Sequence, residues 1–180
     1  MPRQLKKPSP ERLRQRAMAY LERFSTSRAN LRLVLLRRVR PEAEAFGIDA
    51  ATIEGWIDAL VADLARLGLV DDRMFAEGRA RSLVERGKPL RHIRATLRGK
   101  GVESALVDQI VDRLDDDSDG TSANWMAAIN FARRRRIGPF RDGPADAETC
   151  RHELGKLARA GFDYATARRI VEMRDDDEKD

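Results

Sequence analysis

The sequence predicts an all-α fold built as an elongated tandem array of three three-helix repeats, and three observations predict it. Charged residues make up 36% of the 180 positions and aromatics only 6%, with few β-branched residues, a balance that suits helices better than sheets. No segment holds a sustained period-two alternation, the mark of a half-buried strand. At an offset of 60 residues the chain matches itself, Arg91-His92 with Arg151-His152, Leu97 with Leu157, Gly101 with Gly161, Ala105 with Ala165, and Ile110-Val111 with Ile170-Val171. Self-similarity at such a period marks units that pack mainly on their neighbours. The repeats are placed at 1–70 (with an amino-terminal extension), 71–120 (closing on an acidic linker) and 121–180 (closing on a charged tail).

Ser9-Pro10-Glu11 starts the first helix with a capping hydroxyl, a proline at the first position and an acid in the first turn. Leu13, Ala17, Tyr20, Leu21 and Phe24 follow at helical spacing. Ser25 and Ser27 punctuate, and Leu31, Val34, Leu35 and Val39 mark a second helix that Pro41 is expected to end, leaving a polar insert over 41–47. Asp49 caps a third helix carrying Ile53, Trp56, Ile57, Leu60, Leu64 and Leu67 on one face, with Gly68 just past its end.

In the second repeat, either Asp71 or Asp72 can cap the helix that carries Phe75, Ala76, Ala80, Leu83 and Val84, and Gly87 closes it. Pro89 fits the first turn of the next helix, whose apolar residues are Leu90, Ile93 and Leu97 and whose end lies at Gly99 or Gly101. A sixth helix follows Val102 with Leu106, Ile110, Val111 and Leu114, and Asp115 to Thr121 reads as a linker. In the third repeat Ser122 caps a helix with Trp125, Ala128, Ile129 and Ala132, stopped by Gly138-Pro139. Asp146 caps an eighth helix through Cys150, Leu154 and Leu157 to Gly161, and Asp163 a ninth through Ala167, Ile170 and Val171. The charged tail from Asp175 is expected to fray.

Several chemistries find no support. The longest apolar run is Trp125 to Ile129, far short of the roughly 20 residues a membrane span needs. The basic start has no apolar stretch behind it, so no secretory signal is expected and the chain is placed in the cytoplasm. Asp115 to Gly120 spaces its acids like a calcium loop, but position 12 is Met126 where a bidentate Glu belongs, so it is read as a hydrated linker. His92 and His152 lack neighbouring ligands, and the single cysteine, Cys150, is read as a buried thiol. No phosphate-binding glycine loop, HExxH or GxSxG is present; no metal, no cofactor and no catalytic residue is expected, and an enzyme ranks last.

Charge is the informative feature. The net +5 hides an alternation in which residues 79–102 carry eight bases against one acid, and residues 103–120 one base against seven acids. A basic block attracts phosphate backbones or an acidic protein groove. On a wheel of about 100° per residue, Leu90, Ile93 and Leu97 share one face of the fifth helix. Lys88, Arg91, Arg94 and Arg98 share the opposite one. A face meant only for water usually mixes in Glu, so this one is read as a binding surface. The run Arg133 to Arg136 is less clean: Arg134 points outward, whereas Arg136 falls near the apolar side and must either snorkel or lie past the helix end.

The segment Gly68-Leu69-Val70-Asp71-Asp72-Arg73-Met74-Phe75-Ala76 resembles the signature of the RecX family, and Gly87 to Gly101 (GKPLRHIRATLRGKG) resembles that family's second characteristic stretch. The resemblance is specific mainly from about 50 to 115; the Pro89-Leu90 pair and the insert over 41–47 depart from the pattern. It implies a non-catalytic regulator of the RecA recombinase that lies in the groove of the RecA–DNA filament and limits filament growth, ATP hydrolysis and strand exchange. Its implied partners are the RecA nucleoprotein filament and single- or double-stranded DNA, with the chain itself a monomer. Lys88, Arg91, Arg94 and Arg98 are the first candidates for filament or phosphate contact, with Arg79, Arg81 and Arg134 behind them. Asp71, Asp72, Phe75 and Gly101 belong to the signature and read as structural, because N-cap preference accounts for the acids in full and Leu69 is expected to pack beside Phe75. Two other readings stay open, a DNA-binding module acting without RecA and a helical scaffold for another acidic protein. The fifth helix offers no Asn or Gln for base edges, which favours phosphate contact over sequence readout.

Overall fold

A computed structural model describes residues 5–116 and 122–173, and among these there is no strand. The order is α1 (Pro10–Leu21), α2 (Arg28–Phe46), α3 (Ala50–Arg66), α4 (Asp72–Glu85), α5 (Leu90–Gly99), α6 (Ser104–Asp116), α7 (Ala123–Arg135), a 3-10 turn at Gly138–Phe140, α8 (Ala147–Ala160) and α9 (Tyr164–Glu172). No helix among the described residues is long and apolar enough to cross a membrane. The expected N-caps form: Ser9, Asp49, Ser122, Asp146 and Asp163 each accept a backbone N–H three residues on, and Ser27, expected only as punctuation, caps α2 in the same way. The chain divides into two compact units, residues 1–76 with 99–103, and 77–98 with 104–180.

The first unit buries Leu13 and Ala17 of α1, Leu31, Leu35 and Val39 of α2, and Ile53, Ile57, Leu60 and Leu64 of α3 in one core. Each Leu, Ile or Val among them contributes roughly 1.5–3 kcal/mol on burial. Pro41 does not end α2, which runs on to Phe46 and closes on Gly47 in the left-handed conformation. Proline cannot donate to the carbonyl four residues back, but Val39, Glu42 and Ala43 around it are all buried, and their packing outweighs the lost bond. The supposed insert is therefore helix. Buried Glu42 accepts from Arg16 Nη2 at 2.6 Å, tying α2 to α1.

Three apolar assignments also shift outward. Phe24 lies beyond α1 and is half exposed, stacked at a tilt 5.1 Å from Tyr20. Leu67, at the C-cap of α3, and Leu69, in the turn beyond, are exposed as well. These positions sit where the helix has already ended, so its periodicity no longer aims them inward.

The second unit holds a core of Ala127, Ala128 and Ala132 from α7, Ile137, Leu157 of α8, Phe162, and Ala167, Ile170 and Val171 of α9. In α6, Val107 rather than Leu106 is fully buried. The stop of α7 comes before Gly138-Pro139: the helix ends at Arg135, and Arg136 turns left-handed at φ 53°. That turn swings Ile137 into the core at 0% exposure and leaves Arg136 outside, paired with Asp142 at 2.6 Å. Cys150 is half-buried rather than buried. Beneath the 3-10 turn, buried Glu153 accepts from Gly138 N–H at 3.2 Å and from Arg141 Nη2 at 2.8 Å. Arg141 also reaches the Val171 carbonyl at 2.9 Å, locking α8, α9 and the turn together. Asp115 and Asp116 are the last residues of α6, not linker. The rest of the acidic stretch and the tail from 175 lie outside the described residues.

Candidate functional site

The two signature acids divide their work. Asp71 caps α4, accepting Met74 N–H at 2.9 Å. Asp72 reaches to the start of α2, accepting Arg28 N–H at 2.8 Å and Arg28 Nε at 3.1 Å, so it satisfies an orphan amide and forms an ion pair in one contact. Ser27 Oγ donates to the Lys100 carbonyl, and Lys100 Nζ reaches Asn30 Oδ1 at 3.3 Å, fastening the turn after α5 to the same helix start. Gly101 completes that fastening, since a Cβ there would collide with the Cβ of Ala29. Phe75 is buried on α4.

The seven cations differ in what they meet. On α5, Leu90, Ile93 and Leu97 turn inward as the pattern requires. The opposite face is partly neutralised by α6: Arg94 meets Asp112 at 2.5 Å and Asp108 at 3.4 Å, and Arg98 meets Asp108 at 2.7 Å. The acid block that follows the basic block in sequence thus folds back along it. Arg81 lies 3.9 Å from Glu77, Arg134 donates to the Arg86 carbonyl at 3.2 Å, and Arg79 is half-buried on α4. Arg91 lies over the backbone of Gly161 at the end of α8, so closely that a Cβ on Gly161 would meet its guanidinium.

Lys88 belongs to a different constellation. It borders an open cleft of about 470 Å³ within the second unit, lined also by Gly87, Pro89, His92, Phe131, Arg135, Lys156, Arg159 and Ala160. Four permanent cations and a histidine converge there, with no carboxylate in the lining among the described residues. Three helix ends build it, the start of α5 and the last turns of α7 and α8. Gly87 makes the approach possible: its φ is +71°, and a Cβ would sit 2.6 Å from Phe131 N and 2.7 Å from Phe131 Cα. Lys156 and Arg159 carry no expectation from the sequence, whereas His92 is read there only as lacking metal-ligand neighbours and Arg135 only as part of the run Arg133 to Arg136. The i, i+3 spacing of Lys156 and Arg159, which puts both on one helix face, was the readable signal.

With this geometry in hand, comparison with known proteins is specific. The family model for the second three-helix domain of RecX matches residues 71–110. A regulatory protein RecX from Myxococcus xanthus is 36% identical over 172 residues, covering 95% of this chain and 90% of that one. Another, from Halorhodospira halophila, is 30% identical over 169 residues and covers 94% and 92%. In fold, the chain is similar to the crystal structure of RecX from Lactobacillus salivarius, with a TM-score of 0.61 at 16% identity over 91% of this chain and 94% of that one.

Proposed function

As the chain belongs to the RecX family of regulatory proteins, we propose that it is a negative regulator of the RecA recombinase. It binds in the groove of the RecA–DNA filament and limits filament growth, ATP hydrolysis and strand exchange. The observation that carries this reading is a likeness to regulatory RecX proteins that runs through nearly the whole chain rather than through one motif. The cation distribution supports it and sharpens the choice of contact residues. Arg94 and Arg98 are already committed to Asp108 and Asp112, so they brace α5 against α6. Lys88 and Arg91, at the amino-terminal end of α5, make no ion pair among the described residues and are the better contacts. The proposal assigns no catalytic step to any residue, and places the protein in the cytoplasm, as a monomer, with the filament.

The test is DNA-dependent ATP hydrolysis by the cognate RecA on single-stranded DNA, titrated with this protein. Inhibition is expected well below one molecule per RecA protomer. The Lys88→Glu/Arg91→Glu variant, with helix content unchanged by circular dichroism, is expected to need about tenfold more protein, or roughly 1.4 kcal/mol of lost binding. Absence of inhibition by the unaltered protein in excess would sink the regulatory reading; undiminished inhibition by the variant would sink only the contact assignment.

A further inference from the structure

We infer that the apolar groove between the end of α2 and the start of α3 is a docking site for a second copy of this chain, entered head to tail by the start of α8. The inference goes beyond the regulatory reading and does not depend on it, because no recombinase takes part.

A joint that occurs twice in the molecule is the first reason. The second helix of each three-helix group is followed, at once or after one residue, by a glycine, an apolar residue and an acid. These are Gly47-Ile48-Asp49 after α2, Gly101-Val102-Glu103 after α5 and Gly161-Phe162-Asp163 after α8. Within the first unit, Gly101 sits against Ala29, the second residue of α2. Within the second unit, Gly161 sits against Arg91, the second residue of α5. A side-chain oxygen reinforces each joint: Asp72 accepts the first amide of α2, from Arg28, and Asn124 the first amide of α5, from Leu90. The apolar residues beside these two glycines, Val102 and Phe162, are both buried.

Two halves of the same joint are left over. A Cβ on Gly47 would meet nothing within 4 Å, and Ile48 is only partly buried. Ile48 instead edges an open groove of about 880 Å³ with Leu33, Leu36, Pro41 and Ile53. A terminal repeat ordinarily turns a polar face to water, whereas this one shows a half-exposed Leu33 and an apolar recess. The other half is the start of α8, whose second residue is the exposed Glu148 and against which no glycine among the described residues is seated. Charge complementarity is the second reason. Arg37, at the groove, makes no ion pair among the described residues, and neighbouring Arg40 holds only the exposed Glu44. The start of α8 brings Asp146 and Glu148, both exposed and neither in an ion pair among the described residues. A groove in one place and a helix start in another make the contact heterologous, so copies add one after another instead of pairing off. A single groove is a small interface beside the roughly 1,200–2,000 Å² of stable complexes, so the chain is a monomer when dilute and associates towards about 1 mM.

The experiment is sedimentation velocity of the full chain from about 10 μM to about 1 mM, with neither DNA nor RecA present. The weight-average sedimentation coefficient is expected to rise across that range without levelling at two copies. Leu33→Asp, which spoils the groove, and Glu148→Arg, which spoils the entering helix start, are each expected to weaken association about tenfold. Both residues are exposed, so the fold tolerates either change. Mixed in equal amounts, the two variants retain one intact groove and one intact α8 start between them, and are expected to form a dimer and nothing larger. Arg37→Glu is expected to weaken association as well, and its combination with Glu148→Arg in one chain to recover most of the loss by exchange of charge. Four results would each overturn the inference: a constant sedimentation coefficient up to about 1 mM, a dimer that Glu148→Arg leaves intact, a variant mixture that stays monomeric, or no recovery in the charge-exchanged chain.

Discussion

Gly87 offers a sharp test of how the cleft is built, because the chain contains its own control. Gly68 and Gly87 share the same left-handed φ of +71°. Around Gly68 a Cβ would meet nothing within 4 Å, whereas at Gly87 it would sit 2.6 Å from Phe131 N, 2.7 Å from its Cα and 2.9 Å from its Cβ. Alanine at Gly68 thus suffers only the left-handed penalty, roughly 1–2 kcal/mol. Alanine at Gly87 suffers that penalty plus an overlap with main chain, which no rotamer change relieves. Moving the segment after α4 away from α7 adds roughly 1–3 kcal/mol, as overpacking does elsewhere. The expected destabilisation is about 2–5 kcal/mol for Gly87→Ala, a large share of a typical domain's 5–15 kcal/mol. Urea unfolding followed by circular dichroism measures it, an unchanged m value allowing the midpoints to be compared, and the loss of unfolded-chain entropy on Gly→Ala is common to both variants. Equal costs for the two alanine variants would refute the close approach, and with it the account of how Lys88 and Pro89 are brought to the ends of α7 and α8.

Glu153→Ala should cost about 3 kcal/mol in the same assay, because it strands the Arg141 guanidinium, only 18% exposed, and the Gly138 amide. The Glu153→Leu/Arg141→Leu pair should cost less than the single change, and a single change worth under about 1 kcal/mol would remove the network from the account of the second core. Hydrogen bonds from Thr52, Thr149 and Thr166 hold the carboxyls of Asp49, Asp146 and Asp163 below the usual range. Groups whose folded pKa is depressed stabilise above the unfolded value, about 3.9 for Asp, and that contribution is lost as pH falls through the lower folded values. The urea midpoint should therefore drop on acidification below about pH 4, and Asp163→Asn should make the drop shallower; an unchanged acid limb would contradict the capping role.

The sequence by itself determined the helices and most of their starts, because capping is local: Ser9, Asp49, Ser122, Asp146 and Asp163 each stand three residues before the amide they satisfy. It also determined the inward face of α5, whose three apolar residues sit at helical spacing and are all buried. Tertiary structure decided whatever depended on a partner distant in sequence. Pro41 stays inside α2 because of what its neighbours bury, not because of its own preference. Glu42 and Glu153, residue types that ordinarily stay in water, are buried where Arg16 and Arg141 come to meet them. The cation face of α5 was legible, but its division was not: whether an arginine is free or paired depends on which acids fold against it, and α6 takes Arg94 and Arg98 while Lys88 is left to the cleft. The cleft gathers residues from 87 to 160 that share no period and no motif. Helical spacing reports which side of one helix faces inward, and only packing decides where the ends of three helices meet.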